Sequence, residues 1–174
     1  MPAPSRSRRV AGLLAPALVL LVSGCGTGGG SSTADAATSG GTPALLDFTS
    51  ETVDGDAFDG STLAGKPTVL WFWAPWCPTC WAQISGVGEL AETYGTEVNV
   101  VGVGSLDKQS AVEGFAAEVS PDVTLLADPD GAVWRQLGVT AQSTYVVLDE
   151  AATEQALGYL DDAELEALVE DLVG

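Results

Sequence analysis

The chain has 174 residues, with 24 acidic against 6 basic side chains and a net charge of −18. A surface this acidic repels phosphate backbones, and nucleic acid is therefore not expected as a partner. The sequence contains no histidine, which excludes Ser-His and Cys-His catalysis, histidine-ligated metals and haem ligation. The sequence accordingly predicts no metal site and no cofactor.

Residues 1–24 are predicted to be a signal peptide. Three arginines precede an apolar run, 10–22, which is too short to cross a bilayer as a stable helix and suits the core of such a peptide. The run leads into Leu21-Val22-Ser23-Gly24-Cys25, which resembles the lipobox of bacterial lipoproteins. The resemblance implies cleavage before Cys25 and lipid attachment to it. The alternative is an ordinary secretory signal followed by an unrelated cysteine.

The segment after Cys25, up to residue 43, is rich in glycine, serine, threonine and alanine. It cannot bury a core, and it is predicted to be a flexible linker. A lipid followed by such a linker would hold a domain, predicted at 44–174, at the extracytoplasmic face of the cell membrane. Disulfides are permitted in that compartment.

Alternating strands and helices are predicted from residue 44 onwards. Weak strands are expected at Leu46–Thr49 and 57–58. The continuous apolar run Thr68–Trp73 indicates a strand buried on both faces. The remaining strands are expected at 97–103, 124–126, 145–148 and 155–159, and helices at 77–94, 110–119 and 131–137. A capping box of Asp161 and Glu164 begins a last helix. This order predicts an α/β fold, a sheet with helices on both faces.

Two cysteines in Trp73-Ala74-Pro75-Trp76-Cys77-Pro78-Thr79-Cys80 carry the predicted chemistry. Cys77 would lie at a helix N-terminus, where unpaired N–H groups and the helix dipole favour a thiolate, the attacking species in disulfide exchange. Cys80, one turn further in, would resolve the mixed disulfide. A structural disulfide and half of a zinc site are the alternatives. The first would stabilise little across so short a loop, and the second lacks further ligands.

The stretch FWAPWCPTC resembles the active site of the thioredoxin superfamily. With the predicted signal and anchor, it is similar to the TlpA/ResA/DsbE-like extracytoplasmic thiol–disulfide oxidoreductases, including actinobacterial DsbE-like proteins. The resemblance covers about 44–172 and implies a thioredoxin-like fold with a central mixed sheet, Cys77 as nucleophile and Cys80 as resolving thiol. It also implies substrate contacts by Trp76, Pro78, Thr79, Gln142 and Ser143. Most of the other tryptophans are expected in the core.

Three positions depart from the family pattern. Ser143 stands where the family carries a cis-proline, and a cis bond without proline costs about 2.5–4 kcal/mol. Either that peptide is trans, or the fold enforces an expensive geometry. The buried acid of thioredoxin falls at Trp71, and a glutamate of TlpA-like proteins falls at Gln83. Without these carboxylates no side-chain base is evident for Cys80, which predicts slower resolution or proton transfer through water.

The leading hypothesis is a membrane-tethered enzyme that exchanges disulfides with exported protein thiols or disulfides. It would either oxidise these clients or reduce them, for example in cytochrome c maturation, and a separate membrane redox partner would recycle it. The alternatives are a redox-inactive binding module of thioredoxin fold and a thiol peroxidase.

Overall fold

The computed structural model describes residues 42–174. The predicted signal peptide, Cys25 and nearly all of the predicted linker lie outside these residues. Among the residues described, none of the helices combines the length and the apolar character needed to cross a membrane.

Seven strands of the described chain form one mixed sheet. They are β1 (Thr49–Thr52), β2 (Ala57–Asp59), β3 (Thr68–Trp73), β4 (Asn99–Gly104), β5 (Thr124–Ala127), β6 (Thr144–Leu148) and β7 (Glu154–Gly158). Their order across the sheet is β2-β1-β5-β4-β3-β6-β7. The central strands β3, β4 and β5 are parallel, while β1 and β6 run antiparallel to their neighbours β5 and β3.

The same residues contain four α-helices and one short 3-10 helix, Gly60–Leu63. The α-helices are α1 (Pro78–Tyr94), α2 (Gln109–Ala116), α3 (Ala132–Gln136) and α4 (Asp162–Val173). The predicted capping box is confirmed at the start of α4. The Asp161 carboxylate accepts the Glu164 N–H at 2.9 Å, and the Glu164 carboxylate accepts the Asp161 N–H at 3.0 Å.

The sheet has a hydrophobic core on each face, because alternate side chains of β3 point in opposite directions. Val69, Trp71 and Trp73 belong to the core that includes buried residues of α1, α2 and α4. Leu70 and Phe72 belong to the other core, together with buried residues of α3. The predicted α/β class, with helices on both faces of the sheet, is therefore confirmed.

The first predicted strand is misplaced. The structure begins β1 at Thr49, at the end of the predicted strand Leu46–Thr49. Leu46 and Phe48 are nevertheless buried, because a turn closed by the Leu46 N–H and the Pro43 carbonyl folds this segment onto the core. Its apolar residues reflect burial and not strand pairing. The other elements begin and end within three residues of their predicted limits.

Candidate active site

Cys77 occupies the N-cap of α1, four residues after the buried strand β3 ends. Its Sγ accepts the backbone N–H of Cys80 at 3.1 Å, one of the N–H groups that lack a partner in the first turn of a helix. Pro78 takes the first helical position, where a missing N–H costs nothing. The sequence predicted this arrangement from the position of the motif between a strand and a helix.

The two thiols are free, and both are buried, with 3% of Cys77 and none of Cys80 exposed. Burial opposes ionisation of Cys77, but the Cys80 thiol, the Ser143 hydroxyl and the backbone of α1 outweigh it and lower the Cys77 pKa. Burial, together with the neighbouring Cys77, raises the pKa of Cys80 to about 11, although hydrogen bonds with Ser143 and the Ala74 backbone act to lower it. The pair is thus asymmetric, with one sulfur prepared to attack and the other held protonated.

Ser143 lies between the two sulfurs. Its Oγ is 3.1 Å from Cys77 Sγ and 3.2 Å from Cys80 Sγ, and either atom of each pair can donate. The residue is buried, and its backbone N–H donates to the Phe72 carbonyl at 2.9 Å, next to the first pair of β6 with β3. Residues more than sixty positions apart therefore meet in one site.

The peptide bond at Ser143 is trans, as is every peptide bond from residue 42 onwards. Ser143 has a φ of 64° instead, in the left-handed region that costs a residue other than glycine roughly 1–2 kcal/mol. This is less than the cost of a cis bond without proline. Of the two possibilities that the sequence left open, the structure adopts the trans one.

Trp71 and Gln83, at the two positions where family members carry carboxylates, bond to each other. The Trp71 indole N–H donates to Gln83 Oε1 at 2.9 Å, and both side chains are buried. Gln83 follows Cys80 by three residues on α1, which places it on the same face of the helix. A neutral hydrogen-bonded pair therefore stands where carboxylates were expected, and no described carboxylate bonds either sulfur.

Tyr145 is a further polar residue near the pair, which the sequence identified only as part of a strand. It lies opposite Trp71 in the β3–β6 register. Burial raises its pKa, and the charges of Asp162 and Cys80 add to this effect. Its hydroxyl has no hydrogen-bond partner within residues 42–174, and the same holds for Trp73 Nε1 and Gln83 Nε2.

Two tryptophans are exposed beside the motif, and the other three are in the core, as expected for most of them. Trp76 is 52% exposed, and its indole N–H donates to the Leu106 carbonyl at 3.2 Å. Trp81 is 45% exposed, and its ring lies against Phe115. Leu106 is also exposed, at a φ of 65°, and no feature of the sequence indicated this apolar neighbour.

The other predicted contact residues lie at the same edge of the fold. Pro78 and Thr79 are exposed on the first turn of α1, whereas Gln142, which precedes Ser143, is partly buried. The acidic turn at Asp128 serves the local backbone. The Asp128 carboxylate accepts the N–H groups of Ala132 and Trp134 at 2.7 and 3.0 Å and thereby begins α3.

The Redoxin family model matches residues 39–171. The soluble secreted antigen MPT53 of Mycobacterium tuberculosis is 38% identical over 101 residues, which are 58% of this chain and 58% of that protein. The chain thus spans little more than half the length of that curated relative.

Two solved structures resemble the chain over nearly their whole length. MTB dsbF, determined in its mixed oxidized and reduced forms, has a TM-score of 0.71 and 42% identity over 76% of this chain and 99% of that one. A secreted Mycobacterium tuberculosis disulfide oxidoreductase homologous to E. coli DsbE has a TM-score of 0.67 and 32% identity over 74% of this chain and 98% of that one. The predicted thioredoxin-like fold and the resemblance to DsbE-like proteins are confirmed. The chain belongs to the Redoxin family.

Proposed function

We propose that this protein is an extracytoplasmic thiol–disulfide oxidoreductase that exchanges disulfides with protein thiols through Cys77 and Cys80. Cys77 is the attacking nucleophile, and Cys80 resolves the mixed disulfide. The main observation in support of this proposal is that the two thiols differ in burial and in pKa. The Cys77 sulfur accepts a helix N-terminal N–H and has a lowered pKa, while Cys80, fully buried one turn further along, has a raised one. Exchange needs an ionised attacking thiol and a second thiol within reach.

The similar proteins support the same chemistry and the same compartment. A solved neighbour is named as a secreted disulfide oxidoreductase, and MPT53 is named as a secreted antigen. We further propose that Cys25 is lipidated and that residues 26–43 tether the domain to the outer face of the cell membrane. A separate membrane redox partner then recycles the pair.

Client contact is proposed for the exposed surface around Cys77. Trp76 offers an apolar ring, fixed by its bond to the Leu106 carbonyl, and Pro78 and Thr79 flank the sulfur on α1. Gln142 and Ser143 bound the opposite side. Aromatic side chains held in place lose little entropy on binding, which favours Trp76 as the principal contact.

The decisive experiment is the reduction potential of the Cys77–Cys80 pair, measured by thiol labelling in graded glutathione and dithiothreitol buffers. Mass spectrometry of peptides separates this pair from Cys25. A potential near about −120 mV would identify an oxidant of disulfide-forming type, and one near or below about −270 mV a reductant. If the pair is not oxidised and reduced anywhere in this range, the enzymatic function is refuted and the redox-inactive binding module becomes the better hypothesis.

Two matched variants assign the roles of the thiols. Cys77→Ser should abolish exchange with a disulfide-bonded peptide, because the nucleophile is lost. Cys80→Ser should still attack but accumulate a mixed disulfide, because no resolving thiol remains. The opposite result, with the mixed disulfide trapped on Cys80, would reverse the assignment.

The tether is tested separately. Cells fed an alkyne fatty acid should label the wild-type protein and not Cys25→Ser, and the variant should leave the membrane fraction. Equal labelling of both proteins would refute lipidation at Cys25 without affecting the proposal for the thiol pair.

A further inference from the structure

We propose that the Ser143 hydroxyl carries a proton from Cys80 to the departing client sulfur when the mixed disulfide is resolved. This inference rests on the thiol–disulfide exchange proposed above and assigns its proton-transfer group. Ser143 is then a catalytic residue, because its oxygen touches both reacting sulfurs.

The geometry suits a relay. A hydroxyl has one proton to give and two lone pairs to accept with, and Ser143 Oγ is within hydrogen-bond distance of Cys77 Sγ and of Cys80 Sγ at once. In the mixed disulfide the client sulfur is bonded directly to Cys77 Sγ, at a distance of about 2 Å. Cys77 Sγ is the atom that the Ser143 hydroxyl already contacts. The backbone bond of Ser143 to the Phe72 carbonyl, at 2.9 Å, fixes this position.

The relay is needed because Cys80 has no other evident base. Its sulfur is fully buried, and direct loss of its proton to bulk water is hindered. The residues that replace the family carboxylates, Trp71 and Gln83, are bonded to each other and neutral. Apart from the thiol of Cys77, which is tied up in the mixed disulfide at this stage, Ser143 is the described side chain that hydrogen-bonds the Cys80 sulfur.

Cys80 Sγ–H gives its proton to Ser143 Oγ, and Ser143 gives its own hydroxyl proton to the client sulfur. Cys80 Sγ attacks Cys77 Sγ, the Cys77–client S–S bond breaks, and the Cys77–Cys80 disulfide forms. The client leaves as a thiol with the two electrons that the cysteine pair loses. Ser143 ends unchanged, and no net proton is exchanged with solvent.

Tyr145 is the titratable group on a neighbouring element whose charge interacts with Cys80. Burial raises the pKa of Tyr145 on β6, and the charges of Asp162 on α4 and of Cys80 raise it further. The Tyr145 hydroxyl is buried without a bonding partner in the described residues, and it forms no hydrogen bond with either sulfur. Tyr145→Phe is therefore the matched control, since it removes a buried hydroxyl close to the pair without touching the proposed relay.

The experiment compares two variants that lack the hydroxyl but differ in their backbone preference. Ser143→Ala keeps a side chain that disfavours a φ of 64°, whereas Ser143→Gly adopts that φ freely. Reduced protein is mixed with excess glutathione disulfide, quenched with acid at set times and analysed by mass spectrometry. The decay of the glutathione adduct on Cys77 gives the resolution rate.

Both variants should resolve the adduct about 100-fold more slowly than wild type at pH 7, the scale of one lost acid–base group. Between pH 7 and 9 their rates should rise about tenfold per pH unit, as Cys80 ionises to solvent, while the wild-type rate changes little. With Ellman's reagent, whose leaving thiol is a far stronger acid and needs no proton, the defect should be smaller.

Three outcomes would overturn the relay. They are wild-type rates in both variants, a defect in Ser143→Ala that glycine relieves, and equal slowing by Tyr145→Phe. The second would indicate backbone strain, and the third a general disturbance of the buried site. If wild type itself forms the adduct but never the internal disulfide, the proposed function falls together with the relay. If wild type resolves the adduct normally, the proposed function stands, and a negative result with the Ser143 variants refutes only the relay.

Discussion

The two thiols of the reduced protein should react with iodoacetamide at very different rates. Burial, reinforced by the neighbouring Cys77, raises the pKa of Cys80 to about 11. Its thiolate fraction at pH 7 is then about 10⁻⁴, against about 3 × 10⁻² for an ordinary thiol of pKa near 8.5. Ionisation alone should therefore slow Cys80 about 300-fold relative to an unperturbed cysteine. Cys77, whose pKa is lowered, should react faster than that reference.

The variant Cys77→Ala separates the contribution of Cys77 to the raised pKa of Cys80 from the contribution of burial. It removes the interactions with the Cys77 sulfur, and it leaves burial, which is the largest cause, in place. The midpoint of Cys80 labelling should therefore move to lower pH in the variant but stay above the ordinary value. A midpoint that does not move would mean that Cys77 does not contribute to the raised pKa of Cys80.

The assay is a pulse of labelled iodoacetamide at a series of pH values from 5 to 11, followed by peptide mass spectrometry. Free cysteine in the same pulse serves as the internal reference. Equal labelling of Cys77 and Cys80 at pH 7, or earlier labelling of Cys80, would refute the asymmetry on which the proposed division of roles depends.

Three further predictions concern stability, each measured by urea unfolding of the reduced protein. Gly104→Ala should destabilise by about 1–3 kcal/mol through overpacking, because its Cβ would lie 2.5 Å from the buried ring of Trp73. Gly114→Ala, the control with open space inside α2, should stabilise by up to about 1 kcal/mol. The stability that the raised Cys80 pKa provides is fully present below pH 8.5 and should be lost, by about 3 kcal/mol, as pH rises to about 11. Cys80→Ala should lack that part of the decline. Gln83→Glu places a carboxyl in a buried position, where burial favours the neutral form and raises the pKa of that carboxyl. The free energy of unfolding of this variant should match that of wild type below pH 4. It should fall about 4 kcal/mol below the wild-type value by pH 8 if the pKa rises by about three units. A flat difference from wild type across that range would refute the last point.

Local signals allowed much of the fold to be predicted. The run Thr68–Trp73 coincides with β3 because a central strand buried on both faces needs continuous apolar residues. Asp161 begins α4 because its carboxylate satisfies an N–H of the first turn. Cys77 is found at a helix N-cap because proline in the next position suits the first turn. Each of these signals lies within a few residues of the structure that it predicts.

Features that depend on distant partners were not predictable in the same way. The order of the strands places β1 beside β5, although more than seventy residues separate them. The misplaced first strand has a related cause, since Leu46 and Phe48 owe their burial to packing in a core and not to a ladder. Hydrophobic patterning records that a residue is buried, and it does not record which neighbour buries it.

The active site combines both cases. The motif identified the sulfurs, and the family resemblance identified three substitutions, which from sequence alone looked like losses of a proline and two carboxylates. In the structure the substitutions are mutually consistent. The Trp71 indole N–H bonds to the Gln83 amide oxygen, and this neutral pair leaves Cys80 without a charged base. The left-handed backbone at Ser143 accompanies a hydroxyl within 3.2 Å of both sulfurs. A proline in that position has no hydroxyl. Replacing Ser143 by the family residue should therefore not make resolution of the mixed disulfide faster than in wild type. Ser143→Pro is therefore expected to share the slow resolution of Ser143→Ala, even if it regains the cis geometry of the family.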